Sequence, residues 1–139
     1  MVHALQRAGG RLRRGGLLIS LRPHRTWRPA IAIIAPEYRL PVARLVNPAF
    51  DTNLRSAEAA LERVVRGGWF SFAGARSSRY RIHLGRPSQM RTYLEMIEPP
   101  RPRFPPGSRA RLDWLWSSAP RGARIEVTEY LVITVLRRR

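Results

Sequence analysis

Apolar residues recur at helical spacing most clearly in residues 51–66. Leu54, Ala57, Leu61, Val64 and Val65 fall on one face there. Asp51 or Asn53 can cap the first turn through a side-chain oxygen. Glu62 and Arg66 stand at i,i+4 in the favourable order, and Gly67-Gly68 supplies a left-handed stop. This predicts a helix. Shorter helical stripes occur at 3–14 (Ala4, Leu5, Ala8, Leu12), at 88–97 (Met90, Tyr93, Leu94, Ile97) and at 109–116 (Leu112, Leu115, Trp116).

Strand patterns lie between them. Residues 17–21 are a continuous apolar run that Pro23 closes, the pattern of an interior strand covered on both faces. Residues 69–72 read as a strand. Tyr80, Ile82 and Leu84 alternate with Arg79, Arg81 and His83, so one face is wet, and residues 73–78 form a bulge or a hairpin turn. Residues 125–136 are the strongest strand, half-polar at first and apolar on both faces from Tyr130 to Leu136. Proline at 23, 29, 36, 41 and 48 breaks up residues 22–50, and residues 99–107 hold five prolines and a glycine. Residues 22–50 and 98–108 are therefore expected as irregular loops within one partial domain spanning 1–139.

The passage Ala4-Leu5-Gln6-Arg7-Ala8-Gly9-Gly10-Arg11-Leu12-Arg13-Arg14-Gly15-Gly16-Leu17-Leu18-Ile19-Ser20 resembles the helix, L-x-P-G-G and apolar strand that precede the fifth strand of class I S-adenosylmethionine-dependent methyltransferases. Arg14 stands where that family often has proline. The final apolar strand is similar to that family's last strand, which runs antiparallel beside the fifth. The order of elements between them is also similar to the carboxyl half of that fold, and the likeness covers most of the chain. It implies an α/β fold: a partial doubly wound, three-layer sheet with an antiparallel carboxyl-terminal strand inserted beside the first strand. It also implies a carboxyl-terminal fragment, truncated before the cofactor-binding half and inactive alone. Completed by an upstream sequence or a partner, such a fragment would contribute the substrate side of a methyl transfer from S-adenosylmethionine. The chain has no G-x-G-x-G turn, its glycine pairs flank Arg11–Arg14, and Glu37 is its first acid. No cofactor-binding position carries over, so the chain alone is expected to bind no cofactor. A missing amino-terminal half, or self-association through the edge of strand 17–21, is the expected partner.

Composition adds a second reading. The 139 residues carry a formal charge of +17, and all 26 basic residues are arginine. Such a charge favours polyanions, although arginine without lysine also fits a coding bias. A small arginine-rich nucleic-acid-binding protein is the alternative. Arg11, Arg13 and Arg14, or Arg137–Arg139, would contact the backbone, and Trp27, Tyr38, Trp69 and Tyr80 would stack on bases.

There is no cysteine, which removes disulfides, thiol nucleophiles and iron–sulfur ligation. No apolar run approaches bilayer length, and a cytoplasmic location without membrane contact is expected. His3, His24 and His83 lack metal-ligand spacing, so no metal site is expected. No G-x-S-x-G elbow is present. Arg22, His24, Arg25 and Trp27 follow the carboxyl end of strand 17–21, where open α/β sheets bind ligands. They are candidate linings of a substrate pocket for an anionic or aromatic compound. Asp113, Glu126 and Glu129 are candidate bases, though such carboxylates usually serve only as solvated surface charge. No catalytic residue follows from the pattern.

Overall fold

A computed structural model describes all 139 residues. The elements run α1 (Val2–Arg11), β1 (Leu17–Pro23), β2 (Ala30–Ala35), β3 (Tyr38–Arg44), α2 (Pro48–Arg66), β4 (Phe70–Leu84), α3 (Gln89–Glu95), α4 (Ser108–Ser117) and β5 (Arg124–Arg138). The chain is mixed α/β, with four helices and five strands. Strand order is β1-β5-β2-β3, and β4 also pairs with β5. The β1–β5, β2–β5 and β2–β3 pairs are all antiparallel. No helix is long and apolar enough to cross a membrane.

The chain divides into two compact units. One comprises Met1–Arg25, Asp51–Ser78 and Leu131–Arg139; the other comprises Thr26–Phe50 and Arg79–Tyr130. In unit 1, Leu18 of β1 lies opposite Leu136 of β5. Leu61 and Val64 of α2 and Phe70 of β4 complete that core with Leu136, and Val2, Leu5 and Leu12 pack against it. In unit 2, Ile31 and Ile33 of β2 oppose Val127 and Ile125 of β5. They bury against Val42, Leu45, Met90, Tyr93 and Leu112.

The expected pairing of strand 17–21 with the terminal strand is present: Leu17 faces Arg137, Ile19 faces Val135 and Leu21 faces Ile133. Its expected burial on both faces is not. Strand β1 alternates, with Leu18 half-buried towards the core and Leu17, Ile19 and Leu21 exposed by 48%, 62% and 64%. Continuous apolar sequence here marks a sheet with one apolar face uncovered, not an interior strand.

Residues 22–50 are not an irregular loop. They hold β2 and β3, joined by a turn at Pro36-Glu37 too short for anything but an antiparallel pair. The prolines are accommodated at the margins. Pro29 precedes β2 and Pro36 lies in the turn. Pro41 sits on terminal strand β3 at a register shift that leaves Val42 as the extra residue of a bulge. Strand β4 is likewise continuous from Phe70 to Leu84, so residues 73–78 run through it as strand and not as a turn.

Helix α2 begins earlier than its apolar stripe suggests. Pro48 takes the first helical position, and Asn47, not Asp51 or Asn53, caps it: the Phe50 amide donates to Asn47 Oδ1 at 3.3 Å. Residues 99–107 form the expected irregular connector. It is anchored in unit 2 by an isolated bridge between Val46 and Arg103 and by a 2.5 Å bond from Asn47 Nδ2 to the Pro100 carbonyl.

Candidate functional site

The turn between α1 and β1 shows why two glycines stand together. Gly15 has φ +79°, a left-handed conformation that glycine adopts without steric cost. A Cβ on Gly16 would lie 2.9 Å from the Arg13 carbonyl oxygen, so no side chain fits there. The turn is clamped to the end of β5 by two main-chain bonds of 2.8 Å, Gly15 N–H to Arg138 O and Arg138 N–H to Gly16 O. Arg137 Nη1 also donates to the Gly15 carbonyl at 3.3 Å.

The clamp brings together two basic runs separated by most of the chain. Arg13 and Arg14 in the turn, and Arg11 at the end of α1, stand beside Arg137, Arg138 and Arg139. All except Arg138 are exposed. Arg138 Nη1 donates to the Trp69 carbonyl at 2.9 Å, and its guanidinium stacks 5.0 Å from the Trp69 ring centre. Unit 1 holds thirteen of the 26 arginines and three of the nine acids (Asp51, Glu58 and Glu62), a formal +10. The arginines divide equally between the two units, and it is the acids that differ, three in unit 1 against six in unit 2.

Among the aromatic residues considered for stacking, Trp69 packs in the unit 1 core and carries Arg138. Trp27, Tyr38 and Tyr80 belong to unit 2, where Trp27 meets Tyr130 edge-on at 5.6 Å. The cluster therefore offers charge and guanidinium donors without a set of stacking platforms.

Two of the four candidate pocket residues, Arg22 and Arg25, line clefts of unit 1. Arg22 lines a cleft of about 450 Å³ in unit 1, with Glu58, Leu61, Glu62, Val65, Arg66, Phe72, Ala75, Thr134 and Leu136. Arg25 lines a neighbouring recess with Arg55, Glu58, Ala59 and Glu62. Glu58 joins them: its Oε2 accepts from Arg25 Nε at 3.2 Å and its Oε1 lies 3.8 Å from Arg22 Nη2. His24 is not among the linings of either, and Trp27 belongs to the other unit.

Unit 2 has a polar cleft of about 510 Å³, lined in part by Tyr38, Arg39, Arg79, Arg81, Glu126 and Tyr130. Glu126 is 5% exposed and well partnered. It accepts from Arg39 Nη1 at 2.5 Å and from Thr128 Oγ1 at 3.1 Å, with Arg81 Nε at 3.4 Å and His83 Nε2 at 3.5 Å. Burial raises its pKa, but hydrogen bonds from Arg39, Thr128 and His83 and the Arg39 charge outweigh it and hold the carboxyl below its ordinary value. Glu129 is the reverse case: burial lifts its pKa, only partly offset by a hydrogen bond from the Tyr93 hydroxyl. Burial, the bond to Glu129 and its charge push the Tyr93 hydroxyl well above the usual phenol range. Asp113 stands exposed on α4. A carboxylate so fully paired as Glu126 organises its strands and is poorly placed to take a proton from a substrate.

No protein-family model, no curated protein and no solved structure matches the chain.

Proposed function

We propose that the chain is a polyanion-binding module of the cytoplasm that grips a nucleic-acid backbone through Arg11, Arg13, Arg14 and Arg137–Arg139. The observation that carries this reading is the clamp between the Gly15-Gly16 turn and Arg138, which brings two distant arginine runs together. Guanidinium groups pair with phosphate oxygens in forked geometry, and each phosphate neutralised releases counterions. Trp69, the aromatic beside the cluster, is engaged by Arg138, so recognition is of the backbone and independent of base sequence.

Salt dependence tests it. Replacing Arg11, Arg13, Arg14 and Arg139 together by glutamine is expected to weaken binding to a duplex at least tenfold at moderate salt. The slope of log K against log salt is expected to fall by about 3–4, since each phosphate left without its arginine removes about 0.9. The control removes the same charge from unit 2, through Arg86, Arg103, Arg111 and Arg121, all exposed. Equal weakening in the two variants would reduce the proposal to net charge alone.

A second reading, the carboxyl-terminal part of a doubly wound methyltransferase, is favoured by one observation: strand 17–21 lies antiparallel to the terminal strand in register over Leu17–Pro23. The uncovered face of Leu17, Ile19 and Leu21 is then where the rest of the sheet's covering layer belongs. On this reading S-adenosylmethionine binds only the completed protein, because the glycine turn that holds it is not in this sequence. Calorimetric titration of the isolated chain with S-adenosylmethionine is expected to give no heat of binding. A saturable isotherm would end the truncated-methyltransferase reading.

A further inference from the structure

We propose that the unit 1 cleft binds a small apolar monocarboxylate, with its charge on Arg22 and its body against α2 and β4. The cleft's volume of about 450 Å³ lies within the usual range of small-molecule sites. Leu61 and Val65 of α2, Phe72 of β4 and Leu136 of β5 supply its apolar lining, and Arg22 supplies a largely buried positive charge, 15% exposed.

The guanidinium is incompletely used. Nη1 donates to Thr134 Oγ1 at 2.9 Å. Nη2 lies 3.8 Å from Glu58 Oε1, beyond hydrogen-bond length, while the other oxygen of that carboxylate is 3.2 Å from Arg25 Nε. Nε is buried with no partner. Nε and Nη2 form one edge of the planar group, the edge that takes a carboxylate with two parallel bonds. Native proteins leave few buried N–H groups unsatisfied. A carboxylate at Nη2, with a small rotation of the guanidinium to admit Nε, would complete the edge.

The surroundings select the class of ligand. Glu58 and Glu62 both line the cleft, and Glu62 is itself paired with Arg66 at 3.4 Å. One further negative charge is balanced by Arg22 and Arg25 around Glu58. A phosphate dianion would meet the two carboxylates with too little positive charge. The exposed ring of Phe72, 60% accessible, suits an aromatic or branched apolar body. This site is separate from the arginine cluster and does not rest on the nucleic-acid reading.

The test titrates the full chain with 3-phenylpropanoate, 3-phenylpropionamide and phenyl phosphate, following amide shifts by NMR. The carboxylate is expected to bind with a Kd on the order of 0.1–1 mM, shifting residues 58–66 and Phe72. The amide and the phosphate are expected to bind at least tenfold more weakly. Arg22→Gln is expected to abolish the preference for carboxylate over amide. Phe72→Ala, at a position that supports no core, is expected to weaken binding about tenfold with an unchanged melting temperature. Equal binding of acid and amide, stronger binding of the phosphate, or shifts centred on Arg137–Arg139 would overturn the proposal.

Discussion

Phe70→Ala is expected to cost unit 1 about 3–5 kcal/mol, the usual penalty for emptying a buried aromatic site. The Phe70 ring is fully buried and lies at the junction of β4 with α1. A Cβ placed on Gly9 would lie only 3.0 Å from Phe70 Cζ and 3.2 Å from Cε2, so the ring packs directly on the helix backbone. Leu61, Val64 and Leu136 complete its surroundings. A helix of ten residues, without an acid in its first turn or a side-chain cap, has little stability of its own. It is held by this packing, and removing the ring leaves a void that the backbone cannot fill. Hydrogen exchange should show protection of Leu18 and Leu136 amides falling by about 10²–10³-fold, since about 1.4 kcal/mol is tenfold. Phe70→Leu, closer in volume, should retain most of it. Unchanged protection in Phe70→Ala would mean that the ring does not organise unit 1.

The second large effect is a pair of opposite signs. Glu126→Gln is expected to destabilise the chain by about 1–3 kcal/mol at neutral pH, because a neutral amide replaces a carboxylate accepting charged hydrogen bonds. Glu126 has a folded pKa below its unfolded one, so its contribution is complete above the unfolded value. That contribution is lost as the pH falls through the lower folded value. Glu129 has a folded pKa above its unfolded one. Its ionisation therefore opposes folding increasingly as the pH rises from the unfolded value to the folded one, fully above the latter and not at all below the former. Glu129→Gln keeps an acceptor for the Tyr93 hydroxyl without the charge, and is expected to raise stability at neutral pH. Denaturant midpoints at about pH 7 and about pH 4 separate the two: both differences from the parent should shrink in acid. Shifts of the same sign at neutral pH would show that the two carboxylates have been assigned the wrong environments.

Legibility of the sequence follows the physics of each element. Helix α2 and strand β5 are readable because long periodic stripes have few alternative explanations. Strand β2 is hidden by the prolines that flank it, and β3 by Pro41, which forbids a central strand but not an edge strand with a bulge; no local signal says which strand will be an edge. The two-faced apolar run at 17–21 reads as interior because burial and exposure of an apolar face look the same in one dimension. The pairing of 17–21 with the terminal strand follows from the family likeness. The antiparallel β2–β5 and β2–β3 pairs do not follow from that likeness. For the site, position along the chain points to Arg22 and Arg25, but Glu58, which joins them from a helix 33 residues beyond Arg25, carries no signal of its own. The arginine cluster is invisible as a unit because its halves lie at the two ends of the sequence.

The clamp at Arg138 fixes where anything appended to the chain must emerge. The Arg139 amide donates to the Trp69 carbonyl at 3.3 Å, so the backbone is still held at the last residue. A purification tag or fluorescent fusion joined there without a spacer would start among the guanidinium groups, and an acidic one would neutralise them intramolecularly. Labels for any titration with polyanions therefore belong elsewhere, for instance on the exposed α4 surface near Asp113.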